Sequence, residues 1–464
     1  MSLEPAAGSD ALSHALDRAA GSRSVPGNQV IHLVDGPAIF EAALAAIAAA
    51  RHWIHFDNYI IRADRTGRRF AELLGARARA GVRVRLIADW LGCAGTPRAF
   101  WDALRRDGVT IRFFGPLRIM DLGANLVRDH RKIVLADGVR AITGGFCIAD
   151  EWAGNPARGR QPWRESGVDI RGPVVPMIDL AFAQLWRRLG EPLPPEESAA
   201  DVAAVGDSMV RPIAGVPGWD RAYRSMDLIL AASTERFWVT DAYFVAPRRL
   251  YHALIDAARD GVDVRLLVPG SSDLPWVRNL TRIGYRRLLR GGVRIFEWAG
   301  PMLHAKTAVA DGLWARIGSS NLNPSSLYGN WELDVLVEDA EFASDLEAQF
   351  RRDLDRSAEV RLRPLLPVGM VRPMALSIRR TGERPAVHHP GLRERRRRTL
   401  VLVRTLVGGA RLATFGPLAM TFLLIAALFL LLPRAMALAF GVLFLWIAVA
   451  AGVHALRRGG GGPA

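Results

Sequence analysis

The chain has 464 residues, half of them hydrophobic, and its 61 Lys and Arg against 46 Asp and Glu leave a formal net charge of +15. This length allows two ordinary domains with appendages, and the positive charge favours an anionic partner, either nucleic acid or a phospholipid surface. The only two cysteines, Cys93 and Cys147, exclude a disulfide framework and lack metal-ligand spacing, which indicates a reducing compartment.

The N-terminal residues 1–25 are small and polar, and they are predicted to form a flexible tail with a possible short helix over residues 11–20. They lack a basic flank followed by an apolar run, so no cleaved signal peptide is expected. Predicted strands and helices then alternate: strand 30–34, helix 38–51, strand 53–61, helix 67–79 and strand 80–87. This alternation predicts a layered α/β sandwich.

The same order of segments recurs in the second half of the chain. FWVTDAYF at 237–244 matches WIHFDNYI at 53–60, DGVDVRLL at 260–267 matches AGVRVRLI at 80–87, and RGGVRIFE at 290–297 matches RDGVTIRF at 106–113. Unrelated strands would not recur in one order, so two copies of a single fold are the economical explanation.

One short pattern, HxKxxxxD, occurs once in each copy. It reads HRKIVLAD from His130 and HAKTAVAD from His304, 174 residues later, and a Gly-rich turn follows each copy. The apolar run inside each pattern predicts a buried strand, and alternation along such a strand puts His130 and Lys132 on one face, as it does His304 and Lys306.

Two such strands side by side would bring two imidazoles and two ammonium groups together, which suits a phosphate diester. One histidine can attack phosphorus while the other protonates the leaving alcohol, and the lysines offset charge on the non-bridging oxygens. This chemistry requires no metal and no cofactor. A single HxK is usually a surface or core feature, but two copies in register argue against that interpretation.

Other residues in the pattern have a structural interpretation. Asp137 and Asp311 complete the two motifs and are candidate catalytic residues, yet each precedes a glycine and can form an Asx turn. His32, His52 and His55 have no lysine partner and do not repeat, so packing or hydrogen bonding is the expected role of each.

A basic segment at residues 276–290 precedes the second motif. Its apolar positions 276, 280, 283 and 288 follow roughly helical spacing with arginines elsewhere, so the segment can lie on anionic headgroups beside the active site. A helix that turns this face to the core, with a solvated opposite face, is the favoured alternative.

The composition changes after about residue 360. Prolines break regular structure, a basic linker is predicted over residues 376–411, and residues 412–456 then carry a single formal charge, Arg434. These 45 residues would form about 68 Å of helix, roughly twice a hydrocarbon core, which predicts a transmembrane helical hairpin over 412–458. Seven arginines precede the pair and two follow it, so both ends are expected in the cytoplasm.

Over about residues 26–375 the chain resembles the phospholipase D superfamily, because both HxKxxxxD motifs and the turns after them are present. The resemblance implies two pseudo-twofold related α/β/α sandwich halves, with boundaries expected at 26–200 and 201–375. It also implies that the two histidines meet across the interface between these halves.

The resemblance also assigns candidates around the histidines. Glu165 and Glu332 match carboxylates that orient the histidines, each expected to hold the histidine of its own motif. Ser319, Asn321 and Asn323, in the turn after the second motif, are candidate phosphate-binding residues, and turn capping is an equally good interpretation of the asparagines.

Within the superfamily the chain is most similar to bacterial cardiolipin synthases, on DHRK at 129–132, TGG at 143–145, the 163–173 stretch and GSSNLNP at 318–324. This similarity implies condensation of two phosphatidylglycerols into cardiolipin and glycerol through a phosphatidyl-histidine. The arginine distribution, and not the similarity, predicts that the catalytic halves lie at the cytoplasmic face of the inner membrane. Hydrolysis to phosphatidic acid is the nearest alternative. A membrane-tethered nuclease is less favoured and nucleic acid is not expected as a partner, because much of the basic excess lies beside the predicted hairpin.

Overall fold

The computed structural model describes residues 7–116, 124–198, 201–362 and 377–380. The segments predicted from the first half of the sequence are all present as helices and strands. Helices of this half are α1 (Ala7–Ala20), α2 (Asp35–Ala49), α3 (Arg65–Arg79), α4 (Arg98–Arg106), α5 (Asp150–Ala153) and α6 (Val175–Arg188). Its strands are β1 (Val25–Val34), β2 (Trp53–Asn58), β3 (Arg83–Asp89), β4 (Thr110–Phe114), β5 (Lys132–Ala136), β6 (Arg140–Gly144) and β7 (Ser166–Arg171).

The second half repeats this series. Its helices are α7 (Arg221–Ala232), α8 (Arg248–Arg259), α9 (Pro275–Arg290) and α10 (Ala340–Asp355). Its strands are β8 (Ser208–Gly215), β9 (Arg236–Thr240), β10 (Asp263–Pro269), β11 (Arg294–Trp298), β12 (Thr307–Ala310), β13 (Trp314–Gly318), β14 (Glu332–Glu338), β15 (Ser357–Arg361) and β16 (Ser377–Arg380).

All sixteen described strands belong to one mixed sheet. Its order is β16-β15-β11-β10-β9-β12-β13-β14-β8-β1-β7-β6-β5-β2-β3-β4. The halves join where β1 pairs with β8, and from that junction the strands of each half follow in corresponding order out to β4 and β11. The two motif strands, β5 and β12, therefore occupy equivalent places on either side of the junction.

Helices cover both faces of the sheet. Along β5, Ile133 and Leu135 pack in the same core as Phe182 of α6 and Phe342 of α10. Val134, between them, points to the opposite face and packs in a core with α2, α3 and α4. The first of these cores contains residues of both halves, so the halves share one hydrophobic layer.

The N-terminal segment is folded, which corrects the prediction of a flexible tail for the part that the structure describes. Helix α1 buries Leu16 against Tyr223 and Met226 of α7. Asp17 on the same helix lies 2.9 Å from the guanidinium of Arg211 on β8. This segment of the first half therefore packs on the second half.

Helix α9 turns the opposite face to the core from the one expected. Val277, Thr281, Tyr285 and Leu288 are its buried residues. The favoured core-facing interpretation of the apolar stripe is therefore wrong for positions 276, 280 and 283, which are exposed.

The predicted transmembrane hairpin at 412–458 and the linker before it, apart from β16, lie outside the described residues. In the part of the chain that the structure describes, no helix combines the length and apolar character needed to cross a bilayer. Strand β16 pairs with β15 beyond residue 375, the expected end of the second half.

Candidate active site

The two histidine and lysine pairs lie where the motif strands begin. Lys132 is the first residue of β5, and Lys306 directly precedes β12. Both lysines are fully buried, and the His130 side chain is 12% exposed against 5% for His304. Every residue of β5 and β12 is buried, so the polar side chains of the two motifs lie where two fully buried strands begin.

Each histidine is attached to the opposite half through its backbone. The His130 N–H donates to the carbonyl of Trp331 at 2.9 Å, and the His304 N–H donates to the carbonyl of Arg164 at 2.8 Å. The acceptor in each case directly precedes a candidate carboxylate. Both histidines are therefore held in place where the two halves meet.

The side chains pair across the same junction. His130 Nδ1 lies 3.0 Å from Glu332 Oε2, and His304 Nδ1 lies 2.6 Å from Glu165 Oε2. This corrects the expectation that each glutamate holds the histidine of its own motif. Because the segments before β7 and β14 run beside the other half's motif, each carboxylate reaches the other half's imidazole.

Glu165 is fixed by further hydrogen bonds. The Trp152 indole donates to Glu165 Oε2 at 3.1 Å, and the backbone N–H of Ser166 donates to Oε1 at 3.0 Å. Gly145 makes room for this carboxylate, since a Cβ at that position would lie 2.5 Å from Oε1.

Glu332 is fixed by a different partner. The Ser319 hydroxyl donates to Glu332 Oε2 at 2.5 Å and accepts from the backbone N–H of Leu333 at 2.9 Å. The predicted phosphate ligand Ser319 is therefore engaged with the carboxylate that holds His130.

Burial and charge set the protonation of the second pair. Burial, followed by the nearby Lys306, lowers the pKa of the His304 imidazole to about 3. Burial alone would raise the pKa of Glu165, but the neighbouring His304 and Lys306 outweigh it and lower that pKa to about 2. An ionised carboxylate only accepts hydrogen bonds, so we infer that neutral His304 carries its proton on Nδ1 and leaves Nε2 free.

The first pair follows the same pattern. Burial lowers the pKa of His130, with Glu332 opposing that shift and Lys132 adding to it. The pKa of Glu332 is lowered as well, because the interactions with His130 and Lys132 outweigh its burial. In the part of the chain that the structure describes, neither Nε2 makes a hydrogen bond, so both are available to a substrate.

Each motif lysine lies next to the histidine of its own motif. Each Nζ donates to the backbone carbonyl of the histidine in its own motif. Lys306 Nζ also lies 2.9 Å from His304 Nδ1. Burial lowers the pKa of Lys306 to about 8, with Glu165 opposing the shift and Lys132 adding to it. The influence of Lys132 on Lys306 indicates that the two motifs share one electrostatic environment.

Two tyrosines of the site were not predicted. The Tyr59 ring lies 5.0 Å from the His130 ring and 5.2 Å from Lys132 Nζ. The Tyr243 ring lies 5.8 Å from both the His304 ring and Lys306 Nζ. Both tyrosines follow the matched strands β2 and β9, and this recurrence in the repeat is the signal that could have identified them.

The asparagines of the turn after the second motif have different surroundings. Asn323 donates to the carbonyl of Tyr243 at 3.2 Å and accepts from the N–H of Ser326 at 3.1 Å, so its side chain holds the turn. Buried Asn321 donates to the Ser326 hydroxyl at 3.4 Å, while its Oδ1 has no hydrogen-bond partner among the described residues. Phosphate binding by Asn321 stays a prediction.

The motif aspartates lie at the far ends of the motif strands. Asp137 accepts hydrogen bonds from the backbone N–H groups of Arg51, His52 and Trp53 at 2.7 to 2.9 Å. Asp311 accepts from residues 234, 235 and 236 in the same way. Their candidate catalytic assignment is therefore corrected to a structural one.

The expectation of packing or hydrogen bonding holds for His32 and His55, whereas the side chain of His52 is exposed. Buried His55 lies 2.6 Å from Asp179 through Nδ1 and stacks on Phe182. His32 Nε2 lies 3.2 Å from the Ser166 hydroxyl. Within the described residues, no group of three or more His, Cys, Asp or Glu side chains is arranged to hold a metal ion.

Comparisons with known proteins agree with this geometry. A family model described as "Cardiolipin synthase, PLD-like domain" matches residues 226–354. Cardiolipin synthase A of Pseudomonas entomophila (strain L48) is 33% identical over 338 residues, which cover 72% of this chain and 70% of that protein. Cardiolipin synthase A of Pseudomonas aeruginosa (strain LESB58) is 33% identical over 349 residues, covering 74% and 71%.

Among solved structures, the crystal structure of phosphatidylserine synthase from Haemophilus influenzae Rd KW20 superposes with a TM-score of 0.60 at 13% identity. The match covers 75% of this chain and 92% of that chain, and it shows a shared fold.

Proposed function

Because this chain belongs to the phospholipase D superfamily as a homologue of cardiolipin synthases, we propose that it condenses two phosphatidylglycerols into cardiolipin and glycerol. The observation that carries the proposal is the crossed pairing of His130 with Glu332 and of His304 with Glu165. Each carboxylate fixes Nδ1 and turns Nε2 to the substrate, as a nucleophilic or acid-base imidazole requires.

In the first step Nε2 of His130 attacks the phosphorus of one phosphatidylglycerol. The bond from phosphorus to the glycerol headgroup breaks, and His304, protonated on Nε2, gives its proton to the departing oxygen. A phosphatidyl-histidine and free glycerol result. The negative charge of the bound phosphodiester favours the protonated form of His304, whose pKa is low in the free enzyme.

In the second step the neutral His304 takes the proton from a hydroxyl of the second phosphatidylglycerol. That oxygen attacks the phosphorus of the phosphatidyl-histidine, the bond to His130 Nε2 breaks, and cardiolipin leaves. Lys132 and Lys306 offset the charge on the non-bridging oxygens during both steps. The proton balance closes, because His304 ends the cycle as it began.

The membrane attachment is part of the same proposal. We propose that residues 412–458 form a transmembrane hairpin that holds the two halves at the cytoplasmic face of the inner membrane. The uncharged stretches on either side of Arg434 and the arginines before residue 412 support this topology.

Expression in a bacterial host without cardiolipin tests the reaction. Extracted lipids, separated by thin-layer chromatography and identified by mass spectrometry, should contain cardiolipin with the unchanged chain and none with His130→Ala or His304→Ala. The variant His52→Ala is the matched control, since its side chain is exposed away from the site, and it should retain full activity.

The products decide between the alternatives. Formation of phosphatidic acid without cardiolipin would show that the protein is a hydrolase and not a transferase. Cleavage of DNA with unchanged lipids would contradict any reaction on phospholipids. Radiolabelled phosphatidylglycerol, quenched rapidly with denaturant, should leave an acid-labile, base-stable label on the unchanged chain and none on His130→Ala.

A further inference from the structure

The solvent-facing side of helix α9 carries an apolar stripe. Trp276 is 62% exposed, Leu280 42% and Ile283 76%, and the three follow one another at helical spacing. The opposite side of α9 already packs in the core through Val277 and Tyr285. In the part of the chain that the structure describes, nothing covers the stripe.

Arginines continue the same surface toward the end of the helix. The α9 sequence contains five arginines and no acidic residue. Arg286, Arg287 and Arg290 join Arg259 of α8 around a concavity of about 560 Å³, which Ile283 also lines. The apolar stripe and the basic concavity are therefore one continuous surface.

The charges of this surface are mostly uncompensated. Arg286 and Arg290 form no ion pair within the described residues, and Arg287 contacts the His252 ring at 2.7 Å. Asp256 lies 3.9 Å from Arg259, and among the described residues this is the only ion pair made by an arginine that lines the concavity. The surface thus retains net positive charge for an anionic partner.

Helix α9 starts beside the active site. It follows β10, and Asp273 in the connection accepts a hydrogen bond from the Tyr243 hydroxyl at 2.8 Å. The Tyr243 ring in turn lies 5.8 Å from the His304 ring. A partner lying along α9 would therefore reach the edge of the catalytic site.

We propose that α9 lies flat on an anionic phospholipid bilayer, with Trp276, Leu280 and Ile283 among the upper acyl chains and Arg286 and Arg290 on lipid phosphates. The proposal rests on the proposed function, because a lipid substrate must enter the site from a bilayer. Tryptophan and aliphatic side chains beside arginines match the layered chemistry of a membrane interface. A polyphosphate chain such as nucleic acid would leave the apolar stripe in water.

An environment-sensitive fluorophore at Ile283→Cys tests this contact in the full chain reconstituted into vesicles. The native cysteines are buried, so the new thiol takes the label. Val139→Cys is the matched control, because Val139 is 48% exposed on the turn between β5 and β6, in the other half of the chain. The vesicles contain equal phosphatidylglycerol and phosphatidylethanolamine, with a fraction of acyl chains carrying a quencher.

The fluorescence emission of the label at position 283 should shift to shorter wavelength on binding to vesicles. Its quenching should be at least threefold stronger than that of the label at position 139. Equal quenching at the two positions would overturn the proposal. The whole chain is in the vesicle in both cases, so the difference reports the contact of α9 itself.

The arginines are tested in the labelled chain with Arg286→Ala and Arg290→Ala together. An arginine near an anionic surface strengthens partitioning about fivefold, so the double variant should need a severalfold higher fraction of phosphatidylglycerol for the same quenching. Arg98→Ala, which removes a 92% exposed arginine from α4, should leave the response unchanged. An identical response from the double variant would remove the arginines from the contact.

The fluorescence does not require turnover and can be repeated with His130→Ala. Quenching at 283 should persist in that variant. If a labelled chain with both catalytic histidines in place showed the quenching and made no cardiolipin, the proposed reaction alone would be refuted. Cardiolipin synthesis without that quenching would refute the docking of α9 alone.

Discussion

His304 and Glu165 form the shorter of the two hydrogen-bonded pairs, at 2.6 Å against 3.0 Å for His130 and Glu332. Both pairs join residues from different halves, so the orientation of each imidazole depends on a side chain that its own motif does not provide. A substitution of one glutamate should therefore alter the histidine of the other half.

We predict that Glu332→Gln perturbs His130 and that Glu165→Gln perturbs His304. The amide offers a weaker acceptor and no charge, so the Nδ1 tautomer loses its support and turnover should fall by about 10² to 10⁴-fold. Nitrogen NMR spectra of protein with isotope-labelled histidine rings show which ring responds. The variants His130→Ala and His304→Ala assign the signals.

The control for this prediction is Glu338→Gln on the same strand β14, away from the histidines. It should leave both ring signals and the rate unchanged. If Glu332→Gln altered the His304 signals and left those of His130 intact, the crossed pairing would be contradicted.

The buried ammonium of Lys306 makes the rate sensitive to alkaline pH. Its pKa of about 8 means that it is protonated below this value and loses its charge above it. We predict that kcat/KM falls with a basic limb near pH 8, because the neutral amine no longer offsets phosphate charge.

The variant Lys306→Arg identifies the group behind this limb. A guanidinium stays charged throughout, so the limb near pH 8 should disappear even if the maximal rate is lower. Rates on mixed micelles between pH 5 and 10 provide the measurement. The same basic limb in both proteins would assign it to another group.

At the scale of the element, β5 and β12 carry chemistry at one end and a structural aspartate at the other. Asp137 and Asp311 have φ angles of 51° and 49°, a left-handed conformation that aspartate tolerates better than most residues. Each carboxylate ties its turn to the strand beside it, β2 or β9. Each motif thus places its histidine and lysine at the start of a strand and a turn-stabilising aspartate at the end of it.

We predict that Asp137→Ala lowers the free energy of unfolding by about 1 to 3 kcal/mol, because three backbone N–H groups lose their acceptor. Asp137→Asn keeps an acceptor and should cost less. Chemical denaturation measures the loss, and cardiolipin formation at low temperature should stay within a few-fold of the unchanged chain.

The pair Asp311→Ala and His130→Ala provides the comparison. Asp311→Ala should repeat the loss of stability, whereas His130→Ala should abolish turnover with little change in unfolding. If Asp137→Ala were inactive but had the stability of the unchanged chain, Asp137 would have a catalytic role and the structural assignment would be contradicted.

At the scale of the whole molecule, a buried ion pair joins the two halves behind the site. The Arg164 Nε donates to both carboxylate oxygens of Asp353 at 2.9 Å, and both side chains are buried. The carbonyl of Arg164 also accepts the N–H of His304. The contact between the halves and the position of the catalytic histidine therefore depend on one residue.

We predict that Asp353→Asn destabilises the chain by about 3 kcal/mol, the low end for breaking a buried ion pair, because Asp35 at 3.5 Å still offsets part of the Arg164 charge. Urea midpoints measure the effect, and turnover should fall with it. Asp355→Asn, an exposed neighbour on α10, should change neither. Equal midpoints for the two variants would contradict the role of the pair.

The sequence by itself determined the repeat, the strand that follows each histidine and the four residues His130, Lys132, His304 and Lys306. These features are local, since the alternation of buried residues along a strand and the spacing of a motif are written in consecutive residues. The same local signal identified the apolar stripe of α9, but not the side to which it turns.

Only the tertiary structure decided which carboxylate meets which histidine, because the answer depends on how two distant segments cross at the junction of β1 and β8. It also showed that Asp137 binds backbone N–H groups at the start of β2 and that Ser319 donates to Glu332, since each side chain finds its partner on another strand. The repeat identifies a histidine, a lysine and a glutamate in each half, whereas the packing of one half on the other determines which glutamate contacts which histidine.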